Sequence, residues 1–155
     1  MEWSTRKAVK EDEEKVRELF IEMLQTIYCN KSVDGYEDGY LDKFFDNCED
    51  WICVAEVNDS VIAYLSIEVH REQENFIYLD DLSVSEKYRS NGIGTRLIKT
   101  AERFAQEIGI SAIVFHVEKS NKSAFALYER LGYSVMSDEG TRFRMVKRFF
   151  QDPVH

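Results

Sequence analysis

The stretch Arg89-Ser90-Asn91-Gly92-Ile93-Gly94-Thr95-Arg96-Leu97, RSNGIGTRL, sets two glycines one residue apart at the start of a helical pattern. Glycine in a helix interior costs roughly 1 kcal/mol relative to alanine, so a pair at a helix entrance needs a physical reason. The segment before it, Asn75 to Val84, is strand-like. After it, Leu97, Ile98, Ala101, Phe104, Ala105 and Ile108 form one apolar helical stripe, and Gly109 supplies the stop. A strand, a glycine turn and a helix N-terminus together make an anion site. The first amides of a helix lack intrahelical partners, and the helix dipole adds partial positive charge there. Bare backbone at 92 and 94 lets a phosphate approach without meeting a Cβ, while Arg89 offers a charge-assisted bond and Thr95 a hydroxyl. The alternative is a plain turn, which an isolated GxG pattern does not exclude.

Two phosphate loops fail on their spacing. A Walker A loop needs a Gly-Lys pair, which this chain lacks. A dinucleotide fingerprint needs a third glycine where Leu97 stands. Glu118 closes the next strand near where a ribose-binding acid would sit, but the repeated βαβ units of such a domain are missing.

Outward from the loop, the patterns predict one α/β domain over residues 1–155, with no linker, repeat or low-complexity tract and a single proline, Pro153. Thr5 to Val9 reads as a strand. Asp12 caps a helix over Glu13 to Tyr28, and a second helix is expected within Tyr40 to Asn47. Trp51 to Val57 and Val61 to His70 are strands joined by the turn residues Asn58-Asp59-Ser60. Ala112 to Val117 is a short apolar strand suited to a parallel position, and Lys122 to Arg130 is a helix ending at Gly132. Tyr133 to Met136 and Phe143 to Phe149 close as a hairpin. The order is βααβββαβαββ: a single mixed, mostly antiparallel sheet flanked by helices.

Parity adds a detail. Ile77 and Leu79 share a face of their strand, and so do Leu82 and Val84, yet 77 and 82 differ in parity. One extra residue near Asp80-Asp81, a β-bulge, restores the register and splays the strand from its neighbour. A strand buried on both faces is the alternative.

A net charge of -9 argues against a nucleic-acid partner, since phosphate binding needs clustered Lys and Arg, and favours cationic partners. Cys29, Cys48 and Cys53 are odd in number and lack CxxC spacing, which predicts reduced thiols rather than a disulfide or metal framework. The charged N-terminus has no secretory pattern, and no apolar run approaches the roughly 18 residues of a membrane span. A cytoplasmic protein without membrane or metal is expected.

With its flanks, LSVSEKYRSNGIGTRLI resembles the acyl-CoA-binding motif of the GNAT superfamily of N-acetyltransferases, [QR]xxGxG/A after a strand ending in a branched apolar residue. Arg89, Gly92 and Gly94 fill its defining positions. FHVEKSNKSAFALYERLGY is similar to the family's later pattern at Asn121, Ala124, Tyr128, Gly132 and Tyr133. The resemblance spans Thr5 to Phe149 and is weakest before residue 50, where substrates are chosen. It implies an acetyl-CoA-dependent N-acetyltransferase. The loop residues Ser90, Asn91, Gly92, Ile93, Gly94 and Thr95, with Arg89, would grip the diphosphate of coenzyme A. The backbone of Leu82-Ser83-Val84 would pair with the pantetheine arm, with Asn121 and Ala124 beside it.

The resemblance further implies that an amine attacks the thioester directly and the thiolate leaves. Deprotonating a lysine-like amine at pH 7 costs about 4.6 kcal/mol, so a base is useful. Asp81, then Asp80, are the leading candidates because a bulge can aim them into the cleft; the alternative is a pair of solvated or capping acids. Glu68, His70 and His116 follow. The Leu82 N–H is the expected oxyanion donor. The family pattern gives Tyr128 to the departing sulfur, against the plain reading of a tyrosine packed on the sheet. Phenol to thiolate transfer is uphill by about 2 kcal/mol, so hydrogen bonding serves as well as protonation.

Tyr28, Asp34, Tyr36, Glu37, Asp38 and Tyr40 fall on the expected acceptor wall, with Tyr28, Tyr36 and Asp81 as acceptor-binding residues. Acids with aromatics suit a small cationic amine, though they also raise its pKa. Polyamines, aminoglycosides, amino acids, protein lysines and protein N-termini all fit, as does a non-catalytic acyl-CoA-binding module. Phe143, Phe149 and Phe150 offer a surface for a homodimer.

Overall fold

The computed structural model describes residues 2–29, 32–46 and 49–149. The strands are β1 (Ser4–Lys7), β2 (Trp51–Val57), β3 (Ser60–His70), β4 (Phe76–Val84), β5 (Ala112–Glu118), β6 (Ser134–Glu139) and β7 (Arg142–Arg148); runs of branched and aromatic residues form the inner ones, while the edge strands β1 and β6 are largely polar. Helices α1 (Glu13–Tyr28), α2 (Ile93–Glu107) and α3 (Lys122–Arg130) complete the frame. The strands make one sheet in the order β1-β2-β3-β4-β5-β7-β6, antiparallel throughout except where β4 and β5 run parallel. The expected mixed sheet is present. At the β2–β3 turn, Asn58 (φ 50°) and Asp59 (φ 66°) adopt the left-handed geometry that suits a two-residue hairpin.

α1 covers one sheet face over β3 and β4; α2 covers the other. Each face has its own core. Leu65, Ile67, Ile77, Leu79, Leu97, Ile98, Ala101 and Ile113 lie on the α2 side, and Val16, Leu19, Leu41, Phe44, Ile52, Val54 and Tyr64 on the α1 side. β3 serves both faces and is buried nearly along its length.

Three local expectations need correction. The second helix of the Tyr40–Asn47 region is a single 3₁₀ turn, Asp42–Phe44; Asn47 lies outside the described residues. Leu41 and Phe44, both fully buried, need only one turn to reach the same core, so nothing propagates the helix. β1 ends at Lys7, and the Val9 N–H instead donates to Asp12 Oδ2 at 2.8 Å. Asp12 therefore caps backwards: its side chain binds Val9 and the Arg6 guanidinium (2.8 and 3.0 Å) rather than the first turn of α1.

The bulge is where parity places it. Leu65 faces Leu82 and Ile67 faces Leu79, so two steps on β3 span three on β4, with Asp80 and Asp81 opposite Ser66. β4 then pairs with β5 only over Ile77–Leu79. Beyond Leu79 the two parallel strands part, and the gap between them opens the site.

Candidate active site

Past the bulge, β4 turns into the glycine loop and α2. Gly92 occupies the N-cap of α2 at φ +79°, a left-handed conformation that favours glycine, and a Cβ there would meet no protein atom within 4 Å. A Cβ at Gly94 would lie 3.8 Å from Leu82 Cδ2, so α2 sits close against the strand. A cavity of about 650 Å³ runs from this helix N-terminus along β4 to α3. Of the expected donor-binding residues, Leu82, Ser83, Val84, Arg89, Ser90, Gly92, Ile93, Gly94, Thr95, Asn121, Ala124 and Tyr128 line it.

Asn91 does not. Its Nδ2 donates to the carbonyls of Tyr88 (2.9 Å) and Arg89 (3.1 Å) and ties the loop to itself. Arg89 Nε donates to the Val84 carbonyl at 2.9 Å, pinning the loop to the strand end. The Ser83 hydroxyl faces the opposite side and donates to the Leu19 carbonyl at 2.9 Å. Asn121 is the N-cap of α3, its Oδ1 accepting from the Ala124 N–H at 3.3 Å. Because the Ser85 N–H donates to Ile62 O on β3 (2.8 Å), strand alternation points the main-chain groups of Leu82 and Val84 into the gap. Sequence reasoning missed Met23, Thr26 and Ile27 of α1, and Tyr88, Leu127 and Arg130, which also line the cavity. Met23 and Ile27 carry a periodic apolar signal, but that signal reads equally as core.

At the inner end, Tyr128 packs its ring on Phe115, centroids 4.4 Å apart. Burial pushes its hydroxyl up to about 12. Tyr128 also borders a small void of about 30 Å³ shared with Leu79, Asp80, Leu82 and His116. Asp80, His116 and Tyr128 thus converge where β4 and β5 part.

The bulge carboxylates are partly buried, and each is held by a tyrosine hydroxyl. Asp81 Oδ2 accepts the Tyr36 hydroxyl at 2.6 Å, and Tyr36 meets the Tyr64 hydroxyl at 2.9 Å. Burial, and next the neighbouring Asp80, push the Asp81 carboxyl up to about 7, against the Tyr36 bond. Asp80 is raised chiefly by burial, while its Oδ2 accepts the Tyr40 hydroxyl at 2.5 Å. The rings of Phe20, Tyr36 and Tyr40 stack at 3.8 and 4.9 Å, forming an aromatic wall over both acids. Outside it, Lys43 Nζ pairs with Glu68 at 2.7 Å and lies 5.3 Å from the Tyr40 ring centroid. His70 binds the other Glu68 oxygen at 3.0 Å. Asp34, Glu37 and Asp38 are exposed. Tyr28, at the end of α1, stands apart from Asp81 and donates to Glu118 Oε1 at 3.2 Å.

The opposite wall comes from β4, β5 and β6. The Tyr78 hydroxyl meets His116 Nδ1 at 2.5 Å, and His116 Nε2 meets Glu139 Oε1 at 2.9 Å. Burial and the nearby Arg142 lower the His116 pKa, which favours neutral imidazole.

Away from the site, Phe143 and Phe149 are half-buried against their own core, and Phe150 lies outside the described residues. Cys53 is buried and Cys29 exposed, both free thiols, while Cys48 lies outside the described residues. Among the described residues, no three His, Cys, Asp or Glu side chains are grouped to hold a metal, and no helix is long and apolar enough to cross a membrane.

Comparison with known proteins bears on this geometry. The family model described as acetyltransferase (GNAT) family matches residues 14–133. N-alpha-acetyltransferase 30 of Homo sapiens is 40% identical over 67 residues, covering 43% of this chain and 18% of that protein. The chain spans less than half the length of the curated relatives it matches. Among solved structures, the PaiA N-acetyltransferase of Thermoplasma acidophilum in complex with coenzyme A superposes with a TM-score of 0.80 at 20% identity, covering 96% of this chain and 100% of that one. Arabidopsis thaliana Naa50 in complex with the bisubstrate analogue CoA-Ac-MVNAL gives 0.76 at 18%, with the same coverage. At these identities the superpositions establish the fold.

Proposed function

From the premise that this chain belongs to the acetyltransferase (GNAT) family, we propose that it is an acetyl-CoA-dependent N-acetyltransferase acting on a small molecule that presents a protonated primary amine. The observation that carries this reading is the continuous cavity from the Gly92–Gly94 helix entrance, along the open edge of Leu82–Val84, to Tyr128. An acyl-CoA has a diphosphate, an extended amide-bearing arm and a thioester in that order. The cavity offers amides and Arg89 to the first, strand-edge backbone to the second, and Tyr128 to the third.

The donor supplies an activated acyl group; the chain's residues do the rest. The Asp80–Asp81 pair attracts the ammonium and takes its proton, the two acids titrating as a unit. Asp80 has the better position, since it borders the same void as Tyr128. Asp81, farther in under Tyr36, sets the pair's affinity for the proton. His116 is a second base candidate, favoured by its place on that void and its chain to Glu139. The inward Leu82 N–H is suited to hold the oxyanion. Tyr128 has no partner for its hydroxyl among the described residues, which leaves that group for the departing sulfur.

A protein N-terminus as acceptor is the second reading, supported by the 40% identity to N-alpha-acetyltransferase 30. Calorimetry with coenzyme A and a thiol-release assay over amines, amino acids and peptides test both. Saturable donor binding with thiol release from small amines supports the first reading; release confined to peptides supports the second. Binding without release from any acceptor would leave only an acyl-CoA-binding module.

A further inference from the structure

Arg142 opens β7 opposite Glu118 of β5 and Glu139 of β6, so its side chain shares the acceptor face with theirs. Both of these carboxylates are engaged elsewhere. Glu118 accepts the Tyr28 hydroxyl at 3.2 Å, and Glu139 binds His116 at 2.9 Å and Ser137 at 3.0 Å. Among the described residues the Arg142 guanidinium makes no hydrogen bond and no ion pair within 4 Å. Its field nevertheless reaches three groups of the cleft: it adds to burial in lowering the His116 pKa, and it opposes the burial that raises Tyr28 and Tyr78. Tyr78 is within reach of both the Asp80 charge and the Arg142 charge, and the two act on it in opposite senses.

On the acidic side the balance is the reverse. Glu68, the outer carboxylate, already holds an ammonium: Lys43 sits against it at 2.7 Å and over the Tyr40 ring. A second positive charge on an acceptor would meet Lys43 where it sought Glu68. What remains open is a place for an ammonium, at Asp80–Asp81, and a guanidinium for an anion, Arg142, since Arg144, two residues along β7, lies over the Phe76 ring.

We infer that the acceptor carries a carboxylate as well as its primary ammonium, as an amino acid does, with Arg142 the residue that selects for it. The inference rests on the acetyl-transfer reading for the identity of the site. Guanidinium recognises carboxylate through paired N–H donors, a geometry that lysine cannot copy.

The test compares matched acceptors with the intact chain: ω-amino acids of increasing length, the alkylamines and diamines of the same lengths, and short peptides starting with Asp or Glu beside their side-chain amides. Two readouts are taken, thiol release as kcat/KM and calorimetric binding to the protein loaded with coenzyme A. At least one carboxylate-bearing amine is expected to exceed its uncharged analogue by about tenfold, the scale of one charge-assisted hydrogen bond. Arg142→Gln should bring that ratio to within about twofold of one, and Arg142→Lys should keep part of it. The free amino acids or the acidic peptides, whichever show the ratio, identify the source of the carboxylate. In a second variant, Lys43→Ala should improve diamines relative to alkylamines. Ratios near one throughout, a preference that survives Arg142→Gln, or diamines leading in the unmodified protein would each overturn the proposal. Should no acceptor release thiol, acetyl transfer fails, and the binding ratio and its response to Arg142→Gln still decide the ligand class.

Discussion

The Tyr36 hydroxyl donates to Asp81 Oδ2 at 2.6 Å, joining the loop after α1 to a bulge 45 residues farther along the chain. The contact covers a carboxyl group that is largely withdrawn from water and lies beside a second one. Two acids in that position cannot both ionise as freely as in water.

A pH dependence follows, with a definite sign. Burial raises the folded Asp81 carboxyl to about 7, from near 4 in an unfolded chain. The stability it contributes is fully present below pH 4 and is lost as pH rises through about 7. Asp81→Asn should therefore gain stability relative to the unmodified protein as pH goes from 5 to 8, by an amount on the order of a few kcal/mol at most. Urea titrations at several pH values measure this, and a difference that is flat with pH would contradict the shift. If the pair is the base, kcat/KM should climb with pH through an apparent pKa near 7, and Asp81→Asn should move that limb to lower pH.

Tyr128→Phe removes the hydroxyl and keeps the ring on Phe115. Turnover should fall by about 10²-fold with little change in the dissociation constant of acetyl-CoA. Steady-state kinetics beside calorimetry separate the two effects. Undiminished kcat would return Tyr128 to a packing role.

Substitution at the two loop glycines should have unequal consequences. Gly92→Ala forces a left-handed φ on a side chain and should cost about 1 kcal/mol of stability, besides placing a methyl group in the cavity. Gly94→Ala meets Leu82 at ordinary contact distance and should fold normally. Both should weaken coenzyme A binding, measured by calorimetry, if the diphosphate lies on these amides.

Remote from the cleft, Glu102 is buried on α2, where it accepts from the Tyr133 hydroxyl at 3.0 Å and pairs with Lys147 at 3.2 Å. Glu102→Leu leaves the Lys147 ammonium with only the Leu131 carbonyl, at 2.8 Å, and no carboxylate, and should cost about 2 kcal/mol; Tyr133→Phe should cost about 1 kcal/mol. Denaturant unfolding reads both, and equal small losses would show that the network contributes little.

Much of this was readable along the chain. The bounds of α3 and of α1 and the strand–glycine–helix unit follow from apolar periodicity and turn residues, which are local properties of neighbouring residues. Even the bulge appears locally, in the conflicting parity of Ile77 and Leu82, because one inserted residue leaves its mark on both sides. Tyr36 on Asp81, Tyr40 on Asp80, Arg89 folded onto Val84 O and the inward turn of Met23 and Ile27 carry no such mark. They join segments 40 and more residues apart, or choose between two rotamers of one side chain. Only the docking of α1 and its following loop on the sheet settles which groups meet, since burial and charge balance belong to the assembled surfaces and not to any one stretch of chain.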